Sequence, residues 1–332
     1  MSYHDALDYL AQKTSVIELY DQLGGRVAVC PEWNGKVLTS TYDGLDGDSF
    51  GYVNVQAIDT DCFEDFGGED QWTISPLIHP FAVESIQENK AVLQRTLQMN
   101  DANGTSVEFH LSRSISLLSR KKIGALFDDA VADALAHEDV SVVGFRTENT
   151  VRSQERAHVA SRLRGMFNAN PHTFVIVSTP PEDSASEPFP AEFDYLGGSP
   201  HGRVRHLSQA LLIRGDGHGR CQTTIPFSAA PPIFGAVELR FGTLTLWTFD
   251  LPGDSEEDII RIYNSGRSHI DELDWSAYYE MNCFSATQLL QPEHSLQYSQ
   301  YTLHLNAENE TLGNLVQQIF DVPLEQFPKD VR

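Results

Sequence analysis

The chain has 332 residues, 41% of them hydrophobic and 10% aromatic, enough apolar side chain for a large core. Its 47 acidic residues against 23 basic ones give a formal charge of −24. That excess argues against a nucleic-acid or anionic-membrane partner, because the phosphate attraction that drives such binding becomes repulsion.

The N-terminus, MSYHDALDYLAQKT, has neither a basic n-region nor an apolar h-region, so no secretory signal is expected. No run approaches the roughly 18 apolar residues of a transmembrane helix. The expectation is a soluble cytoplasmic protein with no membrane partner. Cys30, Cys62, Cys221 and Cys283 lie far apart with no CxxC spacing, so neither a zinc cluster nor a disulfide framework follows.

In chain order, Ala6, Leu7, Leu10 and Ala11 predict a short amphipathic helix within residues 1–13. The period then changes to strands at Ser15–Tyr20, Arg26–Cys30 and Lys36–Ser40, punctuated by Gly24-Gly25 and Asn34-Gly35. Further strands are expected at Phe50–Val55, Val83–Gln87, Ala91–Met99, Thr105–Leu111 and Arg113–Leu118, with Asn103-Gly104 as a hairpin turn. Gly124–Ala136 reads as a helical interruption. Strands resume at Val140–Glu148, Gly165–Asn168, Thr173–Ser178, Gln209–Arg214, Val237–Leu239, Thr243–Phe249, Ala277–Cys283 and Ser295–Leu305. Pro180–Pro190 reads as a surface loop by composition. Leu312, Leu315, Val316, Ile319 and Phe320 mark a helix over residues 308–321, expected to cover one end of the sheets. Many short strands, Gly/Pro/Asn turns and no βαβ alternation predict an all-β fold, a large antiparallel β-sandwich with short helices near both termini. One domain spanning residues 1–332 is expected.

Most catalytic signatures are missing. There is no GxGxxG, GxxxxGK[ST] or HExxH, and Gly197–Gly202 (GGSPHG) lacks the closing glycine of a nucleophile elbow around Ser199. His201 and His206 sit beside Arg203 and Arg205 in a polar stretch, simplest as a solvated face. Asp43, Asp46 and Asp48 in DGLDGD lack the closing glutamate of a calcium loop and suit a turn. No metal and no cofactor is expected.

Two stretches carry more. In Phe66–Pro76 (FGGEDQWTISP) two glycines precede the carboxylates Glu69 and Asp70, then Trp72. Acceptors beside an indole face suit sugar hydroxyls and a sugar ring; the same residues also suit a tight turn entering the core. In Tyr278–Asn282 (YYEMN), Glu280 falls inside an aromatic-flanked strand. It must either face water or be held at a site, because burying a carboxylate without partners is costly.

These blocks, with LGGRVAV, GKVLTSTYDG, SFGYVN, VVGFRTENT, GMFNANP and YNSG, resemble an uncharacterised bacterial family of galactose-mutarotase-like proteins over nearly the whole chain. FGGED and GMFN are the most specific parts. The resemblance implies the β-supersandwich shared by aldose 1-epimerases, some polysaccharide lyases and glycosidase accessory domains. It also implies a small-molecule carbohydrate ligand: a monosaccharide, sugar acid or sugar phosphate. Glu280, before the last hairpin, corresponds to the epimerase general base that takes the anomeric hydroxyl proton. The epimerase acid histidines are not matched: Arg162, Leu163 and Arg164 precede the Gly165–Asn168 block, and Phe66 precedes Gly67-Gly68. Glu69 or Asp70 would serve as acid only if burial raised its pKa, and guanidinium cannot. The expected site is therefore Glu280, Glu69 and Asp70 as catalytic groups, with Trp72 packing the ring. Arg162, Asn168, Arg220 and Asn264 are the expected substrate donors. Three functions stay open: an epimerase-like isomerase, a non-catalytic sugar sensor or accessory module, and a glycoside hydrolase or lyase. The last needs Glu69 or Asp70 to face Glu280 across about 5–9.5 Å.

Overall fold

Two large antiparallel sheets pack face to face, and the larger is covered on its far face as well. The computed structural model describes residues 1–54, 67–74, 79–179, 191–195, 202–218, 220–230, 232–252, 257–265 and 277–328. Val55, Cys62, Phe66, Pro76, the 180–190 loop, Ser199 and His201 lie outside the described residues.

Among the described residues the larger sheet has ten strands. In spatial order they are β13 (Val204–His206), β14 (Ala210–Arg214), β11 (Thr173–Ser178), β16 (Ile233–Glu238) and β17 (Thr243–Asp250), then β21 (Ser295–Asn306), β8 (Ser141–Arg152), β7 (Ser106–Leu117), β6 (Lys90–Asn100) and β5 (Ala82–Gln87). The smaller sheet has six: β12 (Glu192–Tyr195), β15 (Arg220–Pro226), β18 (Ile259–Ser265), β19 (Tyr278–Phe284), β10 (Arg162–Asn168) and β4 (Gln71–Thr73). A three-stranded sheet of β1 (Ile17–Tyr20), β2 (Arg26–Cys30) and β3 (Lys36–Thr41), and a pair of β20 (Gln288–Leu290) with β9 (Ala157–Val159), complete the set.

The main core lies between the two large sheets. Leu163, Met281, Ile260 and Ile262 from the smaller sheet meet Phe109, Phe145, Val175 and Trp247 from the larger, all buried. A second core covers the opposite face of the ten-stranded sheet. There Leu244, Leu246, Leu303 and Leu305 pack with Leu312, Leu315, Val316 and Phe320 of the C-terminal helix, Asn309–Phe320. That helix covers a sheet face rather than the sheet ends, because its apolar stripe matches the apolar row of β17 and β21. The N-terminal helix, Tyr3–Ala11, starts with a capping box between Ser2 and Asp5 and buries Leu10 against Cys30, Trp33 and Leu38.

Several elements differ from the pattern in the sequence. Thr105–Leu111 and Arg113–Leu118 are one strand, β7, since Ser112 keeps the alternation across the join. The helical interruption is two short helices, Arg120–Gly124 and Asp129–Ala136, capped by Ser119 and Asp128. The expected strand from Phe50 is reduced to isolated bridges, Ser40 with Phe50 and Val53 with Gly67. The Asn103-Gly104 hairpin is present, with Asp101 Oδ1 accepting from the backbone N–H of Asn103 at 3.0 Å and Thr105 at 2.9 Å. Among the described residues no helix is long and apolar enough to cross a membrane.

Candidate functional site

Directly paired residues in an antiparallel sheet project from the same face. Along β10, Arg162, Arg164, Met166 and Asn168 therefore share a face with Tyr278, Glu280, Asn282 and Phe284 of β19. Arg261 and Tyr263 of β18 continue the rows, opposite Asn282 and Glu280. Arg220, Gln222 and Thr224 of β15 follow. This is the face turned away from the sandwich core.

Glu280 sits at the centre of it and is only 4% exposed. Arg164 Nη2 donates to Oε1. Asn282 Nδ2 donates to Oε2 at 3.0 Å, and Arg162 Nη2 reaches the same oxygen at 3.4 Å. Arg162 also donates from Nη2 to Asn282 Oδ1 at 3.0 Å, which fixes the amide orientation. Phe284 lies between two cations, with the guanidinium carbons of Arg162 and Arg261 at 5.0 and 4.8 Å from its ring centroid. Arg220 lies 5.8 Å from the ring of Tyr263. Burial raises the Tyr263 phenol above its ordinary pKa, with Arg220 pulling in the opposite direction. The four inner strands thus present four guanidiniums and one carboxylate on this face, in a protein of charge −24.

Glu69 and Asp70 are elsewhere. Their segment leads into β4 along the same edge of β10, where Met166 N–H donates to Gly68 O at 2.8 Å. Gly67 and Gly68 have φ of +85° and +115°, and a Cβ on Gly67 would lie 1.7 Å from Tyr52 O, so the turn demands glycine. It aims both carboxylates into the sandwich, where each is fully buried. Asp70 pairs with Arg113 of β7 and accepts from Thr147 Oγ1 at 2.6 Å. Arg113 in turn donates to Gly35 O at 2.8 Å and Asn149 Oδ1 at 2.6 Å. Glu69 Oε2 accepts from Ser40 Oγ at 2.8 Å and lies 2.8 Å from His304 Nε2. Both engage the ten-stranded sheet, on the opposite side of the smaller sheet from Glu280.

Trp72 is 1% exposed, packs near Tyr298 and donates from Nε1 to Ser161 Oγ at 2.7 Å. Its ring faces the core because Trp72 is paired with Leu163, on the inward row. Asn264 is also inward, inside β18 rather than at a turn. It accepts from Gly217 N–H at 2.7 Å and donates to His218 O at 2.9 Å, holding the β14–β15 connection. Asn168 stands at the end of the Glu280 face and donates to Gly51 O at 2.9 Å. Of the eight expected residues, Glu280, Arg162, Arg220 and Asn168 share one face; Glu69, Asp70, Trp72 and Asn264 do not.

A family model described as a family of unknown function, DUF6786, matches residues 1–83 and 71–331. The chain belongs to that family. No curated protein matches it. Among solved structures, the Slr1438 protein from Synechocystis sp. PCC 6803 is similar at 12% identity and TM-score 0.56, over 89% of this chain and 96% of that one. A candidate aldose 1-epimerase from Escherichia coli K12 is similar at 8% identity and TM-score 0.54, over 88% and 99%. A candidate mutarotase from Salmonella typhimurium is similar at 10% identity and TM-score 0.51, over 91% and 100%. At such identities the likeness is one of fold, the galactose-mutarotase-like β-sandwich.

Sequence reasoning missed Arg164, Asn282, Arg261 and Tyr263 in this DUF6786 chain. The first two were within reach, each two residues from a chosen one on the same strand. Arg261 and Tyr263 required β18, whose alternating Ile260 and Ile262 are the signal that a strand is present.

Proposed function

We propose that this protein binds an acidic carbohydrate, such as a hexuronic acid or sugar phosphate, on the outer face of the six-stranded sheet. The observation that carries this reading is the Glu280 carboxylate set among Arg162, Arg164 and Asn282 at the centre of an arginine-rich face. Guanidinium forks match carboxylate and phosphate geometry in two parallel hydrogen bonds. Glu280 and Asn282 supply acceptors for hydroxyls, and Tyr263 and Tyr278 supply flat apolar edges. Neighbours of this fold described as epimerase or mutarotase candidates support a carbohydrate ligand. Residues 1–332 act as one domain in this reading.

If the site is reactive, Glu280 is the base that takes the anomeric hydroxyl proton. Tyr263, paired directly with Glu280 and kept protonated by burial, is the donor toward the ring oxygen. A second reading, a non-catalytic sensor, is favoured by one specific observation: Glu69 and Asp70 lie off the Glu280 face, leaving no second carboxyl acid among the described residues beside it. The same separation weighs against a paired-carboxylate hydrolase.

Saturation-transfer NMR against neutral sugars, uronic acids and sugar phosphates tests the binding reading, with α/β anomer exchange followed in the same tubes. Accelerated exchange lost in Glu280→Gln supports the isomerase; binding without acceleration supports the sensor. No binding by any anionic sugar overturns the proposal.

A further inference from the structure

The guanidiniums on the outer face of the six-stranded sheet fall into two groups. Arg162 and Arg164 are both tied to Glu280. Arg261 and Arg220 are not. Among the described residues neither pairs with a carboxylate, and each lies against a ring of the same face, Phe284 at 4.8 Å and Tyr263 at 5.8 Å. These groups are also the accessible part of the face: Arg220 is exposed, and Arg261, Tyr263 and Phe284 are half-buried. Guanidiniums laid on rings with no internal counter-charge suit an anion from outside.

The strand register sets how far apart the cations stand. Arg162 is opposite Phe284, and Arg261 is opposite Asn282, so the two flank the Phe284 ring. Their guanidinium carbons, 5.0 and 4.8 Å from its centroid, lie within about 10 Å of each other. Arg220 is opposite Ser265, four residues along β18 from Arg261. With ~3.4 Å of rise per residue and ~4.8 Å between strands, its Cα is about 14 Å from that of Arg261. A hexuronic acid has one carboxylate and can occupy only one of these positions. Between them Tyr263 offers a flat ring, and Gln222 and Thr224, both half-buried, offer an amide and a hydroxyl for sugar hydroxyls. On the edge strand β12, the exposed Glu192 and Asp194 stand opposite Thr224 and Gln222 and repel negative charge there. The line open to an acidic ligand therefore runs along β18 and not across the sheet to β12.

We propose that this face holds two anion subsites, one at Arg162 and Arg261 around Phe284 and one at Arg220 on Tyr263, and that its ligand is an acidic oligosaccharide lying along β18 with a carboxylate in each. The inference rests on the carbohydrate reading of the same face and extends it from one acidic sugar to a chain of them.

Isothermal titration calorimetry of the full chain compares galacturonic acid, its α-1,4-linked trimer, and maltotriose as the neutral chain of equal length. The trimer is expected to bind at least about tenfold more tightly than the monomer, beyond the roughly threefold gain from carrying three units. Arg220→Ala, at an exposed side chain, should weaken the trimer at least about fivefold and the monomer less than about twofold. Arg152→Ala removes an exposed charge from the ten-stranded sheet and should leave both affinities unchanged. A trimer that gains no more than its number of units, or an equal loss for both ligands in Arg220→Ala, overturns the two subsites and leaves the single-sugar reading standing. A trimer weakened as much by Arg152→Ala as by Arg220→Ala, or bound no better than maltotriose, overturns them as well. No binding by either galacturonic acid or its trimer overturns the inference together with the carbohydrate reading.

Discussion

Asp70→Asn separates a structural carboxylate from a catalytic one. In the wild type Asp70 and Arg113 are both fully buried, and the pair is completed by Thr147, Asn149 and Gly35. Replacing the carboxylate with an amide leaves the guanidinium in the same place with neutral partners only. Removing one member of a buried pair costs about 3–5 kcal/mol, because the remaining charge is left uncompensated. With ~2.1 cal/mol/K of unfolding entropy per residue, a chain of 332 residues loses about 4–7 °C in Tm. Differential scanning calorimetry at pH 7 reads this directly, and urea unfolding gives the free energy. Replacing both partners with apolar residues, Asp70→Leu with Arg113→Met, should be less destabilising than the sum of the single changes. The reasoning is refuted if Asp70→Asn melts within about 1 °C of wild type while ligand binding is lost. Asp70 would then act on a ligand and not on the core.

Three further outcomes follow from the same geometry. Trp72→Phe should lower stability by about 1–2 kcal/mol through the lost Ser161 hydrogen bond and the smaller ring, and leave carbohydrate affinity unchanged in NMR titration. Burial pushes the Cys30 thiol up to about 12 and raises Cys221 and Cys283, all three unbridged, so native protein should leave them unlabelled by a thiol reagent until denaturant is added, as read by mass spectrometry. The backbone N–H of His158, then those of Thr105 and Asn103, hold the Asp101 carboxyl below its ordinary pKa. A lowered folded-state pKa gives stability that is present above about pH 4 and lost as the pH falls through the folded value. The stability gap between wild type and Asp101→Ala, measured by urea unfolding, should therefore be flat near neutrality and shrink in acid.

The β-sandwich was legible because its most regular parts are local. Strands β6 and β7 alternate strictly and meet at Asn103-Gly104, and the C-terminal helix carries its stripe in plain view. The smaller sheet was harder to read. The outward rows of β15 and β18 hold Arg220, Gln222, Arg261 and Tyr263, and these polar residues concealed two strands. Glu280 was legible as a carboxylate that must face water or be held at a site; Arg162 was legible only as a substrate donor, and its contact with Glu280 comes from strand pairing across 118 residues. The FGGEDQW stretch misled for a physical reason. Carboxylates next to glycines read as exposed, whereas left-handed Gly67 and Gly68 turn them inward, onto Arg113 and His304 from strands far away in sequence. No local pattern announces a partner 43 or 235 residues away.

The central claim is that the arginine-rich face around Glu280 recognises an acidic carbohydrate. The most direct measurement is a titration of wild type and Arg162→Ala with a hexuronic acid and with its neutral hexose counterpart, followed by saturation-transfer NMR. The account predicts that the uronic acid binds wild type at least about tenfold more tightly than the hexose, and that Arg162→Ala removes most of that preference, the worth of a charge-assisted hydrogen-bond pair. Equal affinity for the two sugars, or a preference untouched by Arg162→Ala, would contradict it.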